Sequence, residues 1–140
     1  MKIRNYYYLI AGVLAMLFAF THAWNGQSTV LPILDLNDVA MDTNIIFRYV
    51  WHIITAENLV FGIVFIILSY QRERSKNRPV ALMIVSVLLV RLTVILGVTA
   101  FYDASALTDT LIDSVAILVY IVLICLGIRM KNNDFGGQSA

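Results

Sequence analysis

Six side chains able to do acid–base or ligand chemistry fall inside or at the edge of stretches as apolar as a membrane span: His22, His52, Glu57, Arg91, Asp109 and Asp113. Lipid makes such residues expensive. They face a protein interior or a watery cavity, and they read first as candidates for function. At about 1.5 Å of rise per residue from the outer boundary, Glu57 and Arg91 reach roughly the midplane, about 15 Å in. His22 and Asp109 lie just beneath the outer surface, with His52 and Asp113 somewhat deeper, on the order of 7–11 Å. The spacing thus predicts two tiers, a deep acid–base pair and an outer group of two imidazoles and two carboxylates.

Each tier has a structural and a chemical reading. Arginine stays charged and grips a carboxylate with two prongs, so Glu57–Arg91 suits a buried salt bridge that fixes helix register. The chemical reading is an anion site at Arg91 or a proton carried by Glu57. Asp113 competes with Glu57 as the Arg91 partner, and Asn58 completes the expected intramembrane polar core. In the outer tier, imidazole plus carboxylate is a workable ligand set for zinc, manganese or iron. His22 and His52 could instead hold a haem from two sides. No H-x-x-x-H or E-x-x-H pair supports either metal or haem. A lone histidine near a membrane surface is more often a hydrogen-bonded interfacial residue. At about 100° per residue Arg48, His52 and Thr55 share one helical face and Glu57 points nearly opposite. Arg48, Trp51 and Trp24 therefore belong to the outer mouth. Asp109, Asp113, Ala116 and Tyr120 form one stripe by the same spacing.

The elements that must carry these residues are four apolar runs, at about 6–24, 45–70, 79–101 and 106–128. Each has the ~20 residues needed to cross ~30 Å of hydrocarbon, and backbone in lipid must satisfy its own hydrogen bonds, which requires helices. Hydrophobic residues make up 60% of the 140 and charged residues 14%, far from the roughly 25% charged of ordinary soluble domains. The expected fold is all-α, an integral membrane antiparallel four-helix transmembrane bundle. Its domain is 1–131, with a flexible cytoplasmic tail at 132–140. Lys2 and Arg4, then Arg72, Arg74, Lys76 and Arg78, then Arg129 and Lys131 flank the runs on one side. Asp35, Asp38, Asp42, Asp103 and Asp109 flank them on the other. The positive-inside rule places both termini in the cytoplasm, in a multi-pass protein of the plasma membrane, specifically a bacterial cytoplasmic membrane. The first run also has the layout of a signal peptide, but its length argues for a retained span.

At the boundaries, Pro79 suits a first helical position. Asp42 or Asn44, and Asp103 or Ser105, suit N-caps of the second and fourth spans. The outer loop 25–44 is long for so small a protein and is expected to fold over the mouth as a short interfacial helix or turn. Trp24, Trp51, Tyr49 and Tyr102 suit an outer aromatic belt. Ser86, Thr93, Thr55, Asn58 and Ser114, with Gly12, Gly62, Gly97 and Gly127, suit helix–helix contacts.

A net charge of +1 and the lack of a basic face or arm give no reason to expect nucleic acid. The single Cys125 permits no intrachain disulfide and is expected to pack as a small hydrophobe. No family motif falls on these residues. The partners expected are the lipid bilayer and a second copy or another membrane protein. The function expected is that of a non-catalytic subunit or ligand-binding protein with an outward-opening polar core. A metal-, haem- or quinone-dependent enzyme and a small transporter or channel subunit are the alternatives.

Overall fold

The computed structural model describes residues 2–36 and 39–130, except for the side chain of Arg74. The expected tail at 132–140, together with Asn37, Asp38 and Lys131, lies outside the described residues. Helix dominates what is described: α1 (Tyr6–Asn25), a π-helical turn (Gly26–Val30), α2 (Leu31–Leu36), α3 (Met41–Tyr70), α4 (Arg74–Tyr102), a 3-10 helix (Ala104–Thr108) and α5 (Leu111–Arg129). Four of the helical runs, Tyr6–Leu36, Met41–Tyr70, Ser75–Tyr102 and Leu111–Arg129, are long and apolar enough to cross a membrane.

Two compact units divide the chain, residues 9–67 and residues 1–8 with 68–140. In the first, α1 buries the small-residue stripe Ala11, Gly12, Ala15 and Ala19, and α3 buries Phe61, Gly62 and Phe65. Gly12 sits directly on α3: a Cβ there would stand 2.9 Å from both the Gly62 carbonyl oxygen and the Ile66 nitrogen. Small residues let helix backbones approach this closely, and the contact area gained is dispersion rather than hydrophobic transfer. In the second unit, Ala81, Ile84, Val85, Leu88 and Leu92 form the buried face of α4, and Tyr120, Ile121, Ile124 and Gly127 that of α5. Asn5 ties the chain start to the end of α5, its Nδ2 donating to the Gly127 carbonyl at 2.8 Å.

Several boundaries differ from expectation, each for a local reason. The first helix does not stop near Trp24. It continues as helix to Leu36, so most of the expected loop 25–44 is helical. Pro32 has no N–H to give the Ser28 carbonyl, and the chain absorbs the defect in a π turn just before it. There the Leu31 N–H donates to the Gly26 carbonyl, five residues back. Pro79 is not the first residue of its helix. Glu73 occupies the N-cap position, its carbonyl accepting from the N–H groups of Lys76 and Asn77, so α4 starts five residues earlier. Pro79 then forfeits only a bond to the carbonyl of exposed Ser75. Asn44 does not cap α3, which begins at Met41; its side chain is committed elsewhere.

Gly97, expected in a helix contact, meets nothing: a Cβ built there has no neighbour within 4 Å. Ser86, Thr93 and Thr55 do not bridge helices through the bonds they make. Their hydroxyls donate to carbonyls of their own helix, at Leu82, Leu89 and Trp51. A hydroxyl facing back along its helix always has an i−4 carbonyl within reach, and here that local bond wins.

Asp103 caps the 3-10 helix, its carboxylate accepting from the Ser105 hydroxyl and, at 3.0 Å, the Ser105 N–H. The Ser105 hydroxyl first, and the backbone N–H next, hold the Asp103 carboxyl below its ordinary 3.8. A depressed folded pKa means that this contribution is present above about pH 4 and is lost as the pH falls through the lower folded value. Amide exchange at Ser105 and Ala106 is therefore expected to accelerate on acidification below pH 4 in the wild type. In Asp103→Asn it is expected to be pH-independent beyond the intrinsic exchange rate. An unchanged acid profile in Asp103→Asn would refute this cap.

Candidate functional site: the outer polar tier of residues 9–67

The densest polar network lies where α2 meets the start of α3. Arg48 reaches back along α3 so that its Nε donates to Asn44 Oδ1 at 2.7 Å, the i,i+4 spacing of one helical face. The same guanidinium donates through Nη2 to both oxygens of Asp35, at 2.9 and 2.8 Å. Asn44 closes the triangle, its Nδ2 donating to Asp35 Oδ1 at 2.8 Å. Asn44 is buried, whereas Asp35 and Arg48 retain 60% and 37% side-chain exposure. Water therefore screens the ion pair, and its worth is chiefly geometric: it fixes α2 against α3.

One helical turn further on, Trp51 packs flat on His22, ring centroids 4.3 Å apart and planes 6° from parallel. Its indole N–H donates to the His22 carbonyl at 2.9 Å. Gly26 makes room for this indole: a Cβ at Gly26 would stand 2.1 Å from Trp51 Nε1. His52 is engaged by Gln27, Nε2 to Nε2 at 2.9 Å. An amide nitrogen can only donate, so the His52 Nε2 lone pair that a metal would need is occupied.

The predicted residues are thus only partly brought together. His22, His52, Arg48 and Trp51 share one unit and one end of α3, with Gln27, Asp35 and Asn44 as partners that the spacing did not single out. Asn44 was detectable as the i−4 neighbour of Arg48; Gln27 and Asp35 carry no such signal. Trp51 is not a belt residue but a wall for His22. Trp24 is exposed at 68% and stacks only on its helical neighbour Phe20. Glu57 and Asn58 lie in the same unit, both half-buried.

Arg91, Asp109 and Asp113 belong to the other unit. Arg91 is half-buried, and both aspartates are exposed. Asp109 precedes α5 rather than lying within it, so the stripe of Asp109, Asp113, Ala116 and Tyr120 is not one helical face. Asp113 stands in the first turn of α5, where the helix dipole favours a carboxylate without any partner. Among the described residues no three His, Cys, Asp or Glu side chains gather as a metal site would need. In comparisons with protein-family models, curated proteins and solved structures, the chain has no match.

Proposed function

We propose that the chain is an integral, multi-pass protein of a bacterial cytoplasmic membrane, an antiparallel four-helix bundle with both ends in the cytoplasm. In this reading it acts as a non-catalytic subunit or binding protein that presents its outer polar tier to a ligand or membrane partner. Lipid contact accounts for a surface on which Ile10, Val13, Leu17, Val60, Val94 and Val119 are all exposed, a surface no water-soluble monomer keeps. Antiparallel neighbours are supported by the order of the α1–α3 contacts, Gly12 with Gly62 and Ile66 but Gly26 with Trp51.

The observation that carries the binding reading is the closed triangle of Asp35, Asn44 and Arg48, with Trp51 and Gln27 holding the two histidines beside it. Catalytic and proton-conducting groups need free lone pairs or mobile partners. Side chains that spend their hydrogen bonds on one another form a fixed surface, as a recognition site requires.

Purified in mild detergent, the protein is expected to be colourless, to carry less than stoichiometric metal, and to leave proteoliposomes ion-tight. A Soret band, one metal per chain, or a flux abolished by Arg91→Ala would overturn the reading in favour of a redox component or transporter. Its detergent-corrected mass is expected to exceed one 15.7 kDa chain. Placement is tested separately in a Cys125→Ser background. Ser28→Cys should react with an impermeant maleimide on intact cells, and Ser75→Cys only after permeabilisation. Labelling of both from the same side would refute the arrangement.

A further inference from the structure

At the end of the second unit where α1 and α4 begin and α5 finishes, Arg4, Arg72 and Arg78 line one pocket of about 280 Å³. We propose that this pocket binds a phosphate ester carrying a hydroxyl next to its phosphate, the three guanidiniums taking the anion and Asn77 the hydroxyl.

The charge argument comes first. None of the residues lining the pocket is acidic. Glu73, the nearest acid in sequence, is paired with Lys76 at 2.6 Å, and among the described residues none of the three arginines is in an ion pair. Arginine cannot relieve repulsion by losing its proton. Three guanidiniums around one small space thus repel each other until an anion enters, and phosphate matches their forked geometry. The first turn of α4 adds its positive end to the same space, Ser75 lying on the wall.

A second observation is independent of charge. Asn77 also lines the pocket, is only 5% exposed, and has an Oδ1 with no hydrogen-bond partner among the described residues. Its Nδ2 donates, over 3.4 Å, to the Leu68 carbonyl. A buried acceptor left unmade is costly, and an acceptor cannot itself receive a phosphate oxygen. It calls for a donor on the same ligand. An anion next to a hydroxyl is the chemistry of phosphoglycerol, whether as the headgroup of a lipid or as free glycerol phosphate.

The floor is built to stay in place. Asn5, buried on this wall, spends Nδ2 on the Gly127 carbonyl and Oδ1 on the Tyr8 N–H. The absence of a side chain at Gly127 lets the Tyr8 ring lie flat against α5, since a Cβ there would stand 2.6 Å from it. The volume is just below the ~300–1,000 Å³ usual for ligand pockets, the size of a headgroup rather than a nucleotide. Basic pockets at helix ends on the cytoplasmic side are suited to anionic headgroups.

The full-length chain tests this in two arms. In the lipid arm, the protein is taken from detergent into phosphatidylcholine bilayers containing phosphatidylglycerol or phosphatidic acid, and retained lipid is read by native mass spectrometry. In the soluble arm, glycerol phosphate is titrated against protein in neutral detergent, an experiment that does not depend on how the chain sits in a bilayer. Binding is expected in at least one arm, and the arm that responds identifies the source. Arg72→Gln/Arg78→Gln should weaken it at least tenfold, while Lys76→Gln, one charge removed outside the pocket, should change it less than twofold. Asn77→Leu should keep phosphate binding but erase the preference for phosphatidylglycerol over phosphatidic acid. Unchanged thermal midpoints in the arginine variants show that the fold is intact. No binding in either arm, or an equal loss with Lys76→Gln, would overturn the proposal; preference surviving in Asn77→Leu would overturn the hydroxyl's assignment to Asn77.

Discussion

Gly12→Val is expected to lower the thermal unfolding midpoint of the detergent-solubilised protein by several degrees, whereas Val13→Leu, one position along the same helix, leaves it unchanged. The contact at Gly12 is backbone to backbone. Its absent Cβ would lie 2.9 Å from the Gly62 carbonyl oxygen and the Ile66 nitrogen and 2.7 Å from Ile66 Cγ1. Neither the oxygen nor the nitrogen can swing aside, so the helices must separate, and overpacking of this kind costs about 1–3 kcal/mol. Val13 is exposed at 48% and has room. Gly97→Ala gives the opposite sign. Nothing lies near its missing Cβ, so the methyl is accepted and the helix gains about 0.5–1 kcal/mol from reduced backbone freedom. If Gly12→Val and Gly97→Ala shifted the midpoint in the same direction, close packing of α1 on α3 would not be what holds residues 9–67 together.

Trp51→Ala is expected to be as damaging, by about 2–3 kcal/mol, since a large aromatic side chain leaves a partly buried site. It also removes the stack on His22 and the bond to the His22 carbonyl, each worth roughly 1 kcal/mol within that total. Gly26→Ala acts on the same space from the other side, because its methyl and the indole nitrogen would occupy one position. The two changes are therefore non-additive. Once the indole is gone the methyl at 26 has room, and the double variant should be no worse than Trp51→Ala alone. A double variant destabilised by the full sum would show that Gly26 serves the π turn rather than the tryptophan. Chemical denaturation followed by far-UV circular dichroism reads all three proteins without relying on the tryptophan signal.

The gross architecture was legible in the sequence because hydrophobic length is a one-dimensional quantity. Twenty apolar residues in a row announce a helix able to cross a bilayer whatever surrounds it, and all four such helices are present. Helix ends were less legible. The expected starts at 45, 79 and 106 follow loss of hydrophobicity, but a helix continues through polar residues for as long as its backbone bonds are made. Thus α3 begins at Met41 and α4 at Arg74, while the 3-10 turn delays α5 to Leu111.

Side-chain partnership divides the same way. Arg48 and Asn44 are neighbours through helical spacing alone, so their bond is implicit in the sequence. Asp35, nine residues before Asn44, joins them only because Pro32 and the π turn bring α2 round to meet α3. The sequence by itself determined that this is an all-helical chain with four membrane-length helices and chemically active side chains among them. Only the tertiary structure decided that His52 belongs to Gln27 and that His22 lies under Trp51. It also decided that three arginines read as topology signals converge around Asn77. Periodicity tells which residues share one helix face; which faces meet depends on where a missing side chain, as at Gly12 and Gly26, lets two backbones come close.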